Sequence, residues 1–148
     1  MWDRDVTPKT KTRIYHATVK STITHAAGTW RLKAKKLAKL NSSEMDFWRH
    51  SARISRKDKI GNNIIRQKRN VARSLSDDIK TRQLQWHGYV QGMEEGRLPK
   101  FMKWSPPGRR KQGRPKLTWA EGIRGLMGEK GLMEEDWNDR GNWRKKII

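Results

Sequence analysis

The segment Leu75-Ser76-Asp77-Asp78 carries adjacent carboxylates, the arrangement with which phosphoryl-transfer centres hold magnesium. No aromatic residue stands before the pair, no strand-like run flanks it and no third carboxylate is evident. A hydroxyl followed by two acids is also what complements the positive end of a helix macrodipole, and that role accounts for all three polar residues. The four histidines, His16, His25, His50 and His87, are scattered with no pair at i, i+4, and cysteine is absent. Thiolate zinc sites, cysteine nucleophiles and disulfides are thereby excluded. No Ser-His-Asp spacing, glycine-rich phosphate cradle or H-E-x-x-H motif occurs, so no catalytic residue, metal or cofactor is expected.

The residue types that remain are cations. Gly108 to Lys116 reads GRRKQGRPK. There Arg109, Arg110, Lys111, Arg114 and Lys116 can fork onto phosphate oxygens while glycine and proline keep the backbone open. A solvated basic linker is the plainer interpretation. If the segment binds, Arg109, Arg110 and Arg114 together would account for about three units in the salt slope of binding. A second block comprises Arg31, Lys33, Lys35, Lys36 and Lys39, followed by Arg49, Arg53, Arg56, Lys57 and Lys59. Only Glu44, Asp46 and Asp58 accompany it. A wet helix face and a phosphate-binding face are both compatible with such a run.

These groups sit on a chain of 148 residues with 35 Lys and Arg against 15 Asp and Glu, a formal charge of +20. Self-repulsion on that scale is best tolerated beside a polyanion, so RNA or DNA is the expected partner. The surplus is uneven: residues 1–74 carry +14 and residues 75–148 carry +6. A membrane surface would require the basic residues on one helix face with Trp, Phe or Leu opposite, whereas here they fall in separate blocks. No apolar run approaches the length of a membrane span and the first residues lack a secretory apolar region, so the expected location is intracellular, nuclear or cytoplasmic.

Leu, Ile, Val and Phe make up only about a sixth of the chain, below the roughly 20% at which a charged chain is suspected of disorder. Eight tryptophans and six methionines oppose that tendency, because each buried indole removes roughly 150–250 Å² from water. The expected fold is mainly α: several short helices joined by basic loops, a small Trp-rich core and partly disordered termini.

Tyr15 to Thr24 is too short and β-branched for periodicity to decide, with helix slightly favoured. Leu32, Leu37 and Leu40, then Asn41-Ser42-Ser43 with capping chemistry, then Met45, Trp48 and Ala52, predict two consecutive helices or one long one. Asp58 is placed to cap a short helix with Ile60, Ile64 and Ile65 inward and Lys57, Lys59, Arg66, Lys68 and Arg69 outward. Ser76 opens a helix to about Gln91 or Gly92, with Ile79, Trp86 and Val90 as its stripe and Gly88 admitting a close neighbour. Pro115 is suited to start a helix through Trp119, Ile123 and Leu126, ended by Gly128 or Gly131. A last helix is expected from about Glu134, carrying Trp137 and Trp143. Trp48, Trp86, Trp119, Trp137 and Trp143 read as core, and Trp104 as a candidate for base stacking. The resulting organisation is residues 1–30, a helical basic region 31–98, a basic Pro/Gly loop 99–114 and a C-terminal helical hairpin 115–148.

Five stretches occur in a recognisable order: Ile14-Tyr15 through Thr29-Trp30, SEMDFWRHSARISRKDKIGN (43–62), QLQWHGYVQGMEEGRLPK (83–100), GRRKQGRPKLTW (108–119) and DWNDRGNWRK (136–145). In this the chain resembles the C-terminal region of the endonuclease-reverse transcriptase of insect non-LTR (LINE-like) retrotransposons. Trp86, Gly88, Gly113, Arg114, Pro115, Trp119, Asp139, Arg140 and Trp143 occupy the most typical positions of that pattern. The resemblance implies that residues 1–30 are a thumb-proximal remnant and that the endonuclease and polymerase centres lie on upstream domains. It also implies a basic tail that helps hold template RNA and target DNA. The chain departs from the pattern at Trp86-His87-Gly88-Tyr89, where relatives read tryptophan, an aromatic, glycine and histidine, and at His25 and Gly28, where they read tyrosine and glutamate. Docking onto the upstream polymerase domains, or a non-functional truncated copy, are the alternative implications.

Overall fold

The computed structural model describes residues 6–94, 96–97 and 118–148. It is mainly α-helical, with no strand among the described residues. Contacts divide these residues into two compact units. The first contains residues 6–25 and 32–79, and the second residues 26–31 together with the described residues from 80 onward. The division falls inside one helix, between Ile79 and Lys80.

The first unit begins with α1 (Pro8–Ile14), capped by the Thr7 side chain, which accepts from the Thr10 N–H. The chain then winds as a π-helix over Tyr15–Lys20 and returns to α geometry in α2 (Ser21–Thr24). The hydroxyls of Thr18, Ser21, Thr22 and Thr24 each donate to the carbonyl four residues back. Such back-bonding competes with the backbone ladder and loosens a helix locally, which explains why this hydroxyl-rich, β-branched run leaves ideal α geometry while remaining helical.

α3 (Ala34–Ala52) is one continuous helix. Asn41, Ser42 and Ser43 lie within it, and none of them caps α3. Ser43 bonds back to the Lys39 carbonyl, and Asn41 reaches Ser76, donating from Nδ2 to Oγ at 3.2 Å and accepting from the backbone N–H at 3.3 Å. After a 3-10 turn at Arg56–Asp58 comes α4 (Asn62–Lys68). Asp58 does not cap α4: it closes a capping box with Ser55 around the 3-10 turn, and Gly61 occupies the N-cap of α4. Ile65 is buried and Ile60 half-buried, whereas Ile64 is exposed. The core combines Tyr15, Met45, Trp48 and Ile65 with the edges of Val19, Phe47 and Ile54. Ring centroids of Tyr15, Phe47 and Trp48 lie 4.5–5.0 Å apart, within the range in which aromatic pairs add about 0.5–1.5 kcal/mol beyond burial.

α5 (Leu75–Gln91) ends where the sequence predicts. Its cap is Ser74 rather than Ser76: the Ser74 hydroxyl accepts from the Asp77 N–H, and the Asp77 carboxylate accepts from the Ser74 N–H and hydroxyl. In the second unit, α6 (Trp119–Glu129) starts behind a capping box of Thr118 and Glu121. Its N-cap is Thr118, and Pro115, expected at the first helical position, lies outside the described residues. The turn after α6 uses Gly131 at φ 63°. The expected helix from Glu134 is instead a 3-10 turn at Asp136–Asn138 and α7 (Arg140–Ile147), because Asp139 caps α7 by accepting from the N–H groups of Gly141 and Asn142.

Leu84, Ile123, Met127, Leu132, Trp143 and Ile147 form the second core, with Trp119, Leu126 and Trp137 packed around it. The Trp119 indole N–H donates to the Gly28 carbonyl at 3.1 Å. Gly88 is the close approach expected from the sequence: a Cβ there would stand 2.6 Å from the Trp143 indole nitrogen. Gly88→Ala should destabilise this unit by about 1–3 kcal/mol, since the overlap outweighs a helix-propensity gain of about 1 kcal/mol. Gly125→Ala, which meets open space, should stabilise it by several tenths of a kcal/mol. Denaturant unfolding followed by tryptophan fluorescence checks both signs.

Candidate nucleic-acid interface

The described residues of the first unit contain seventeen Lys and Arg but only five Asp and Glu. All five carboxylates are engaged internally. Glu44, buried, accepts from the Leu75 N–H at 3.1 Å and the Tyr15 hydroxyl at 3.4 Å, and stands 3.6 Å from the Arg66 guanidinium. Burial, followed by the neighbouring Glu44 charge, pushes the Tyr15 phenol well above its ordinary range. Asp46 receives both ends of the Arg56 fork at 2.6–3.1 Å, and this hydrogen bond holds its carboxyl below the usual value. Asp58 and Asp77 are caps. Asp78 lies 2.5 Å from Lys20 and 3.9 Å from Arg73.

Asp77 and Asp78 thus serve different partners. Among the described residues no group of three or more His, Cys, Asp or Glu is placed to hold a metal ion.

Ten cations of this unit are exposed, with no side-chain hydrogen bond or ion pair among the described residues. Lys33, Lys35 and Lys36 surround the start of α3, and Lys39 follows one turn on. Lys33 is its N-cap residue without a side-chain cap, and no acid stands in the first turn. Cations at that end oppose the helix dipole, each by about 0.3–1 kcal/mol. At the far end, Arg53 and Lys59 occupy left-handed backbone positions, φ 56° and 52°. Glycine is the relaxed residue there; the sequence places a cation at each.

Between these points α3 and α4 border a groove of about 810 Å³ whose lining includes Asn41, Arg49, Arg56, Lys59, Asn62 and Arg66. Arg49 is held in it, donating to the Ile60 carbonyl at 2.9 Å and to Asn62 Oδ1 at 2.7 Å. A neighbouring groove of about 660 Å³ includes His50, Arg53 and Lys57.

The expected contact residues therefore separate. Lys33, Lys35, Lys36, Arg53 and Lys57 are exposed on the first unit, Arg49 and Arg56 are tied to neighbouring groups, and Arg31 belongs to the second unit. Arg109, Arg110, Lys111, Arg114, Lys116 and Trp104 lie outside the described residues. Arg66 and Arg69, expected to face outward with Lys57, Lys59 and Lys68, are instead half-buried: Arg66 approaches Glu44, and Arg69 donates to the Ser51 carbonyl. The scarcity of acids signalled that each would matter, but the partner of Glu44 is set by packing across about thirty residues.

The second unit contrasts with this. Its described residues carry ten cations and seven acids, including pairs between Lys80 and Glu129 at 2.6 Å and Lys146 and Asp136 at 2.9 Å. Among the described residues no helix is long and apolar enough to cross a membrane. No family model, curated protein or solved structure matches the chain.

Proposed function

We propose that the chain binds RNA or DNA through phosphate contacts on its first unit, without strong sequence preference and without chemistry of its own. The observation that carries this reading is the charge assignment: every described carboxylate of that unit is committed internally, while ten exposed cations have no counter-charge among the described residues. Seven of those cations, Lys33, Lys35, Lys36, Lys39, Arg53, Lys57 and Lys59, run from the start of α3 to the turn around Lys59, which suits a flexible polyanion whose phosphates fix position rather than sequence. Cations opposing the α3 dipole and left-handed Arg53 and Lys59 are unfavourable in the free protein, and a docked phosphate offsets the first of these costs.

With the sequence resemblance in support, we read the chain as the C-terminal piece of a retrotransposon endonuclease-reverse transcriptase, helping upstream domains hold template and target, in the nucleus or cytoplasm. Lysine-acetylation footprinting of the whole chain with and without RNA tests the assignment. Lys33, Lys35, Lys36 and Lys39 should be protected by RNA, with Lys130 and Lys145 unchanged; protection confined to the second unit would refute it.

A further inference from the structure

The second unit holds a different kind of site. A cavity of about 410 Å³ has Trp119, Trp137 and His87 in its wall, with Glu134, Glu135 and Arg124 also lining it. That volume lies within the range of small-ligand pockets. Trp119 is anchored through its indole N–H on the Gly28 carbonyl, and Trp137 packs against the unit's core, so the two indole rings belong to a fixed wall.

The charged groups are unusual for this chain. Glu134, Glu135 and Arg124 are exposed, and none makes a side-chain hydrogen bond or ion pair among the described residues. Four other acids of the unit are occupied: Glu121 and Asp139 cap helices, and Glu129 and Asp136 pair with lysines; Glu94, also exposed, is not part of the cavity wall. Two carboxylates without a partner among the described residues, grouped with aromatic rings and a guanidinium, define the chemistry of a complementary ligand. It must offer a flat π surface, N–H donors for a carboxylate and an anionic group for Arg124.

A simple organic cation satisfies the rings and carboxylates but is repelled by Arg124. A nucleotide satisfies all three, since unstacked bases are received by aromatic side chains and phosphates by arginine. Among the bases, guanine presents two adjacent N–H donors on its Watson–Crick edge, N1–H and N2–H, which a single carboxylate can accept together. Cytosine and adenine present one amino group and uracil one imide N–H.

We infer that this cavity receives an unstacked guanine of single-stranded nucleic acid. In it the indole wall stacks the base, Glu134 or Glu135 accepts from N1–H and N2–H, and Arg124 meets the adjoining phosphate. The inference rests on the nucleic-acid reading for its ligand class and adds a base-selective pocket to a phosphate-binding surface.

Calorimetry of the whole chain with GMP, AMP, CMP and UMP tests it. GMP should bind about tenfold more tightly than the others, the discrimination of one bidentate base contact. Glu134→Ala/Glu135→Ala should abolish the preference, and Arg124→Ala should weaken all four nucleotides while preserving their order. All three positions are exposed, and circular dichroism checks that the variants remain folded. Equal affinities for the four nucleotides, no binding of any, a preference that survives the double substitution, or binding of arginine amide in place of nucleotides would each overturn the inference. Poly(C) separates the two claims. Salt-sensitive poly(C) binding without GMP selectivity removes the pocket alone, whereas GMP selectivity without poly(C) binding removes the phosphate-surface reading.

Discussion

Substituting Lys33→Asp, Lys35→Glu and Lys36→Glu together is expected to weaken RNA and DNA binding on the order of a hundredfold near 0.1 M salt, while making the first unit more stable. The two effects share one cause. Each lysine that meets a phosphate releases a counterion, so losing three contacts flattens the dependence of log K on log salt by about three units on duplex DNA and about two on single strands. In the free protein the same lysines stand at the positive end of α3, where no acid occupies the first turn and Lys33 gives no side-chain cap. Aspartate at the N-cap and glutamates behind it reverse both defects, worth about 1 kcal/mol in total at an exposed helix end. Equilibrium titration and thermal denaturation of the same variant measure both effects. A variant that loses affinity and stability together would point to misfolding, and one that keeps full affinity would remove the start of α3 from the interface.

The second large effect concerns what holds that surface in place. Glu44→Ala should destabilise the first unit by about 3 kcal/mol, because it leaves the buried Leu75 N–H and Tyr15 hydroxyl without their acceptor and Arg66 without its counter-charge. Glu44 ties the π-helix at Tyr15–Lys20, α4 and the start of α5 to α3 through one side chain. Glu44→Gln keeps an acceptor and should cost less than half as much. By contrast Asp46→Asn, at the exposed Arg56 pair, should leave unfolding nearly unchanged. Urea denaturation of the three variants gives the ranking; an equal cost for Glu44→Ala and Asp46→Asn would contradict the role assigned to burial.

The sequence made the helical class, the extent of α5 and the close approach at Gly88 legible, because each rests on local pattern: a polar entry with carboxylates, a glycine facing an indole, a periodic apolar stripe. Caps were less readable. Ser74 and Ser76 are equally good hydroxyls, and only the bond pattern with Asp77 selects the first. Asn41-Ser42-Ser43 has capping chemistry, yet α3 runs through it because Asn41 finds Ser76 in the tertiary fold and the leucine and tryptophan side chains on either side support one helix.

For the site, composition located the cationic region but could not sort it. Lys33 and Arg66 are alike as residues; one is exposed and the other beside Glu44, and the difference is made by packing between distant segments. The cavity near Trp119 and Trp137 was hidden for the same reason: both tryptophans read as core, although they also line the cavity, and the acids around Glu134 read as the first turn of a helix that in fact starts at Arg140.

The central claim, that uncompensated cations on the first unit grip a polyphosphate strand, is tested most directly by titrating the whole chain with RNA, duplex DNA and single-stranded DNA between 50 and 200 mM salt. The account predicts a linear fall of log K with log salt, steep enough to count several phosphate contacts on each polymer. Affinity that is negligible at the lowest salt, or flat across the series, would contradict it.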